Sequence, residues 1–164
     1  MTLEEARAKT KFCSSDTKLP SLLNLWGVMD LHDWRTLLGE EWTMCDNVWA
    51  YRKCLKRAMF LTCTPQTCLE MMTPRECEAL AALPEHVTVY RGCGPKNVIG
   101  CCWSLDRDTA ESFPTLVRYR QEDPLLVTAT VRRDRIVALK LNRSEREVIT
   151  FNARRVSVES LAGA

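Results

Sequence analysis

LPEHVTVYRG, residues 83–92, is where the chain changes texture. Upstream of Pro84 the apolar residues recur every three or four positions. Downstream they alternate with polar ones and are rich in β-branched types. Val87 and Val89 alternate with His86, Thr88 and Tyr90, the pattern of a strand with one buried face, and Gly92, Gly94 and Pro95 stop it. Leu83-Pro84 ends whatever helix precedes it, because the residue before a proline is pushed out of the helical region. The expected fold is therefore α+β, with a helical subdomain over residues 1–83 and a β-rich core over residues 84–164.

Three helical stripes support the first half. In DLHDWRTLLGEEW, Leu31, Trp34, Leu37 and Leu38 share one face, and Gly39 is expected to end the helix. In CDNVWAYRKCLKRAMF, Val48, Tyr51, Leu55 and Met59 step by three and four after Asp46, a candidate cap. TPRECEALAAL carries Thr73 as N-cap, Pro74 at the first helical position and Glu76 three residues after the cap, which together make a capping box. Trp26, Trp34, Trp42 and Trp49 lie among apolar neighbours and read as core rather than as a stacking surface for nucleic acid.

In the second half, a short strand is expected around Gly100–Leu105. DRDTAESF follows as a helix, capped by Asp106 and limited by Pro114. LLVTATV, RIVALKL, REVITF and RRVSVES read as four more strands. Six short strands with one intervening helix predict a mixed, mostly antiparallel core.

Composition narrows the class. The 164 residues are 46% apolar and 27% charged, ordinary values for a globular chain that can bury a sizeable core. No run of about 18 apolar residues suggests a membrane span. MTLEEARAKTKFCSSD has no apolar stretch of the signal-peptide kind, so a cytoplasmic setting is expected, or the host cytoplasm for a phage protein or effector. Nine cysteines, at 13, 45, 54, 63, 68, 77, 93, 101 and 102, are odd in number and irregular in spacing, which argues against a disulfide framework. The short-spaced pairs Cys63/Cys68 and Cys101/Cys102 do not complete a four-ligand zinc set with His32 or His86, so no metal is expected. Residues 1–83 hold 10 Lys/Arg against 11 Asp/Glu and residues 84–164 hold 13 against 10. The mildly basic second half suits an anionic small ligand, or simply a solvated surface.

Three segments of that half carry chemistry. They are Val89-Tyr90-Arg91-Gly92 at a strand end, Gly100-Cys101-Cys102-Trp103-Ser104-Leu105-Asp106 leading into a helix, and Glu145-Arg146-Glu147-Val148-Ile149 opening a later strand. In order and residue type they resemble the arginine–serine–glutamate, cholera-toxin-like class of ADP-ribosyltransferases, and the compact phage and bacterial members in particular. That class has an arginine on its first core strand, a Ser-Thr-Ser element on a second and a Glu-x-Glu before a late strand. The likeness covers roughly residues 86–151.

The resemblance implies a split β core with NAD in the cleft between its sheets, release of nicotinamide, and transfer of ADP-ribose to a macromolecular acceptor. Protein is the favoured acceptor, nucleic acid stays open and no membrane is involved. Glu147 matches the family's catalytic glutamate, and a carboxylate there suits the oxocarbenium character that develops when the nicotinamide–ribose bond breaks. Arg91, with Gly92 beside it, would hold the NAD pyrophosphate through a guanidinium fork. Glu145 lies two residues before Glu147, so on an extended segment both carboxylates face one side and Glu145 could prepare the acceptor. Arg146 between them faces away. Cys102, Trp103 and Ser104 align with Ser-Thr-Ser, which keeps the last serine and puts a weakly donating thiol where the first would be. Trp103 could stack near the nicotinamide or serve as a buried strand residue. Two rivals remain: an NAD glycohydrolase with water as acceptor, and an inactive binding or inhibitor module.

Overall fold

The computed structural model describes residues 1–60, 67–141 and 146–162, so Cys63 and Glu145 lie outside the described residues. The chain is α+β, with its helices gathered in the N-terminal half and its strands in the C-terminal half. Four helices come first: α1 (Leu3–Thr10), α2 (Ser15–Leu25), α3 (Leu31–Glu41) and α4 (Val48–Phe60). They meet through the stripes read from the sequence. Trp34, Leu37, Leu38 and Leu55 are fully buried, Met59 nearly so, and Leu31, Val48 and Tyr51 pack at the edges of the same cluster. Trp34 also satisfies its indole nitrogen, donating to the Leu22 carbonyl at 2.8 Å, which pins α3 to α2. Trp42 is buried too, whereas Trp26 and Trp49 are only half-buried, and the Arg52 guanidinium sits 4.3 Å from the Trp49 ring centre.

Two expectations in this half change. Gly39 does not end α3, which runs on to Glu41. It is buried inside the helix where the Met71 backbone crosses, and a Cβ there would collide with the Met71 carbonyl. Asp46 does not cap α4; its carboxylate accepts hydrogen bonds from Arg118 and Tyr119 of the other half.

Helix α5 (Pro74–Ala81) begins with the expected capping box, Thr73 and Glu76 each satisfying the other's backbone N–H. Glu76 does more than cap. Its carboxylate accepts from the Leu141 N–H at 2.9 Å and from Lys140 Nζ at 3.0 Å, while Lys140 also donates to the Met71 carbonyl at 2.8 Å. Both side chains are almost wholly buried, at 2% and 4% exposure, so a satisfied ion pair ties the helical half to the sheet.

The strands β1 (His86–Cys93), β2 (Cys102–Ser104), β3 (Leu125–Arg132), β4 (Ala138–Lys140), β5 (Glu147–Ile149) and β6 (Arg154–Ser160) fall in the six segments expected. They form one sheet in the order β4-β5-β2-β1-β3-β6, and every pairing is antiparallel. Its two halves are unequally joined. β1 pairs with β3 over eight residues and β2 with β5 over three, but β1 and β2 share a single register pair, Tyr90 with Ser104. The sheet is therefore two three-stranded units meeting at a narrow seam.

Each face of the sheet has its own core. Cys101, Val137, Ala138 and Ile149 pack into the cluster of α1–α4. Trp103, Val148, Leu139, Val89 and Val127 form the other cluster, with Leu80 of α5. Helix α6 (Arg107–Ser112), capped by Asp106 through the Thr109 N–H at 2.7 Å, lies against β1. Ser112 ends it before a 3-10 turn at Phe113–Thr115 that contains Pro114. Among the described residues no helix is long and apolar enough to cross a membrane, and no cluster of His, Cys, Asp or Glu could hold a metal.

The buried pair yields a stability test. Burial raises the Glu76 carboxyl, but hydrogen bonds from the Thr73 and Leu141 N–H groups and from Lys140 outweigh it, so the group ionises below the usual carboxylate range. A depressed folded-state pKa contributes stability above the unfolded value of about 4.3, and that contribution is lost as pH falls through the folded value. In urea denaturation at pH 7, Glu76→Gln is expected to cost about 3–5 kcal/mol by leaving Lys140 charged and unpaired. It should also lose less further stability than the parent as pH drops below about 4. Glu76→Gln combined with Lys140→Met is expected to cost less than the single change. A single change worth under about 1 kcal/mol would contradict the pair's role.

Candidate active site

The seam between β1 and β2 opens into a cleft of about 170 Å³. Its floor follows from strand register. Ser104 lies directly opposite Tyr90 on one side and Glu147 on the other, and Glu147 lies opposite Lys140. Residues paired across antiparallel strands present their side chains to the same face. Tyr90, Ser104 and Glu147 thus form one row that borders the cleft, and Cys102 shares their face because it is two residues from Ser104. Two further bonds extend the β2–β5 ladder beyond the three paired residues: Leu105 N–H to the Arg146 carbonyl and Thr150 N–H to the Cys101 carbonyl, both at 2.9 Å. Glu147, half-buried at the start of β5, is held in register with Ser104 from both ends.

Arg91 bridges the seam. Its Nη1 donates to the Cys102 carbonyl at 2.7 Å and its Nε to the Asn97 carbonyl at 3.3 Å. Where the backbones of β1 and β2 supply one register pair, this side chain supplies a second tie. The sequence leaves room for it: Gly100 lies against the guanidinium, and a Cβ there would collide with Arg91 Cζ. Gly92 plays a similar part toward α6, since a Cβ would collide with the Ala110 carbonyl, so this glycine seats the helix beside the cleft. The structure therefore gives Arg91 a role in positioning β2, and the residue is one of those that line the cleft.

The middle motif divides its duties. Ser104 Oγ accepts from the Asp106 N–H at 2.9 Å, bracing the turn into α6 and leaving its own proton to donate. Trp103 is only 6% exposed and its indole packs with Val148, its register partner, in the core on the far side of the sheet. It occupies a buried strand position and is also among the residues that line the cleft. The Cys102 thiol is pushed well above its usual range, first by its hydrogen bond with the neighbouring Cys101 and by burial, then by the charge of Glu147. A thiol held neutral is a weak donor and a poor nucleophile. Cys45 is likewise pushed up to about 12, chiefly by burial and Glu41, with Glu147 adding to the effect.

The cleft's opposite wall escaped the sequence reading. It is built from Thr109, Phe113, Tyr119 and Gln121, with Asn97 and Tyr90 nearby. The Phe113 and Tyr119 rings stack with centroids 4.6 Å apart and planes at 16°, each belonging to a separate 3-10 turn. Gln121 folds inward, its N–H bonding the Pro114 carbonyl at 2.9 Å and its side-chain amide the Tyr119 carbonyl at 2.9 Å. FPTLVRYRQ has no regular period, so no element is expected in it beyond the end of the helix. Its two aromatic residues were the one available signal. No family model, curated protein or solved structure matches the chain.

The Arg91 bridge is open to direct measurement. Arg91→Lys keeps the charge but cannot donate to two separated carbonyls from a planar fork. It is expected to cost about 1–3 kcal/mol in chemical denaturation. It should also speed modification of Cys102 by a thiol reagent as β2 loosens. Unchanged stability and labelling would show that the seam does not need the arginine.

Proposed function

We propose that the cleft binds NAD and that Glu147 promotes cleavage of its nicotinamide–ribose bond, with transfer of ADP-ribose to a macromolecular acceptor. One observation carries the reading. Three segments far apart in sequence, at Arg91, at Cys102–Ser104 and at Glu147, meet at one seam, with Ser104 in register with Glu147 and Arg91 bonded to Cys102. These are the segments whose order and types resemble the arginine–serine–glutamate transferases.

The chemistry is consistent with the placement. Bond breaking develops positive charge at the ribose carbon, and a carboxylate fixed in a strand can meet that charge without reorganising. Ser104, with a proton to donate, is placed beside Glu147 to orient it or a ribose hydroxyl. Cys102 occupies the preceding same-face position as a neutral thiol, so the orienting work falls mainly to Ser104. Arg91 supports the site by holding β2 in place and offers positive charge near the phosphates of NAD. Glu145, outside the described residues, keeps its proposed part in preparing the acceptor. A toxin, effector or phage protein acting on host machinery is the setting the resemblance suggests.

A second reading has its own support. Two nitrogens of the Arg91 guanidinium already donate to backbone carbonyls, and a thiol stands where the family has a serine. Both features fit a module that binds NAD, or another anionic ligand, without turning it over.

The test is nicotinamide release from NAD, with cell lysate as acceptor, beside Glu147→Gln. The proposal expects release that falls at least about a hundredfold in the variant, within the range seen when a charge-stabilising group is removed. Thermal stability should stay nearly unchanged. Free ADP-ribose as the sole product would identify a glycohydrolase. NAD binding without release would establish the binding module, and neither binding nor release would overturn both readings.

A further inference from the structure

We propose that Asp46, from the helical half, is the positioning residue that fixes the aromatic wall of the cleft. Asp46 lies in the short connection between α3 and α4, next to Asn47, whose φ of 56° puts a non-glycine residue in the left-handed region. Its backbone N–H donates to the Ser15 carbonyl at 3.0 Å, which anchors the connection to the start of α2. Its side chain is 15% exposed and turns across to the other half of the molecule. Tyr119 Oη donates to Asp46 Oδ1 at 2.9 Å, and Arg118 Nη2 donates both to Asp46 Oδ2 and to Ser15 Oγ, the latter at 2.7 Å.

These bonds grip the wall at the residue that matters to the cleft. Tyr119 stacks on Phe113 and both rings line the cavity, so whatever holds the Tyr119 hydroxyl sets the depth of that wall opposite Glu147. Within the segment Gln121 bonds the Pro114 and Tyr119 carbonyls, and Asp46 adds the tie from the helical half. Val117 is 94% exposed and Leu116 47%, so apolar burial does not fix the turn between the two rings. Burial raises the Asp46 carboxyl, but its hydrogen bonds with Ser15, Tyr119 and Arg118 outweigh that and keep it ionised. The helical half thus shapes the ligand cavity from 73 residues away in sequence, although none of its described residues lines it.

The part of this inference that concerns ligand affinity rests on the NAD reading; the placement of the wall does not. Amide hydrogen exchange of the unliganded chain, by mass spectrometry, tests the placement. Asp46→Asn and Tyr119→Phe are each expected to speed exchange over residues 113–121 about tenfold, the scale of one lost hydrogen bond to a charged group. Exchange in α1, α3 and β1 should stay within about twofold. Combining the two changes should cost less than the sum of the single effects, because the two residues share one hydrogen bond. In the turnover assay the same variants should raise KM for NAD about tenfold with kcat nearly unchanged. No change over residues 113–121, or an equal rise throughout the molecule, would overturn the role of Asp46. Failure of the parent protein to bind NAD would overturn the NAD reading instead, and the exchange comparison would still decide the wall.

Discussion

The two bonds from the Arg91 guanidinium, to the Cys102 carbonyl and the Asn97 carbonyl, hold together a sheet that its own backbone barely joins. A pair of strands with one register contact is weak at that point, yet the weakness makes the cleft. Had β1 and β2 paired along their length, the row of Tyr90, Ser104 and Glu147 would lie on a closed surface. The arginine lets the two units splay while keeping β2 in register with β5. Glu147 takes its position from β5, which pairs with β4 on one side and with β2 on the other, and Arg91 ties β2 to β1.

The helical half supports the same opening from the other direction. One face of β4, β5 and β2 is covered by the cluster of α1–α4, and the Glu76–Lys140 pair fastens α5 to the end of β4. Buried ion pairs contribute modest net stability but penalise any arrangement that separates them. The pair therefore specifies how the helices sit on the sheet. From that seat Asp46 reaches the Phe113–Tyr119 wall, so a region outside the motif-bearing strands shapes the space that those strands floor.

Much of this was legible in the sequence where the information is local. Alternating β-branched residues marked β1, β3 and β6, the Thr73–Glu76 spacing marked the start of α5, and the stripe through Trp34, Leu37 and Leu38 marked the buried face of α3. The strands β2, β4 and β5 are three residues each, too short to show periodicity by themselves, and lie inside longer segments that read as strands. What depends on distant partners could not be read. Gly39 looked like a helix stop because its contact with Met71 leaves no trace in neighbouring residues. Asp46 looked like a cap because its partners, Arg118 and Tyr119, lie more than seventy positions away. Phe113, Tyr119 and Gln121 sit in a stretch without a regular period, held by 3-10 turns and by a partner, Asp46, that lies far away in sequence.

The most direct test is a titration of the isotope-labelled protein with NAD, followed by two-dimensional NMR. If the seam is the ligand site, shifts should concentrate at Tyr90–Cys93, Cys102–Ser104, residues 109–121 and Glu147, and should saturate with rising NAD. Shifts confined to the far ends of β3 and β6, or none at millimolar NAD, would contradict the assignment of the seam as an NAD site.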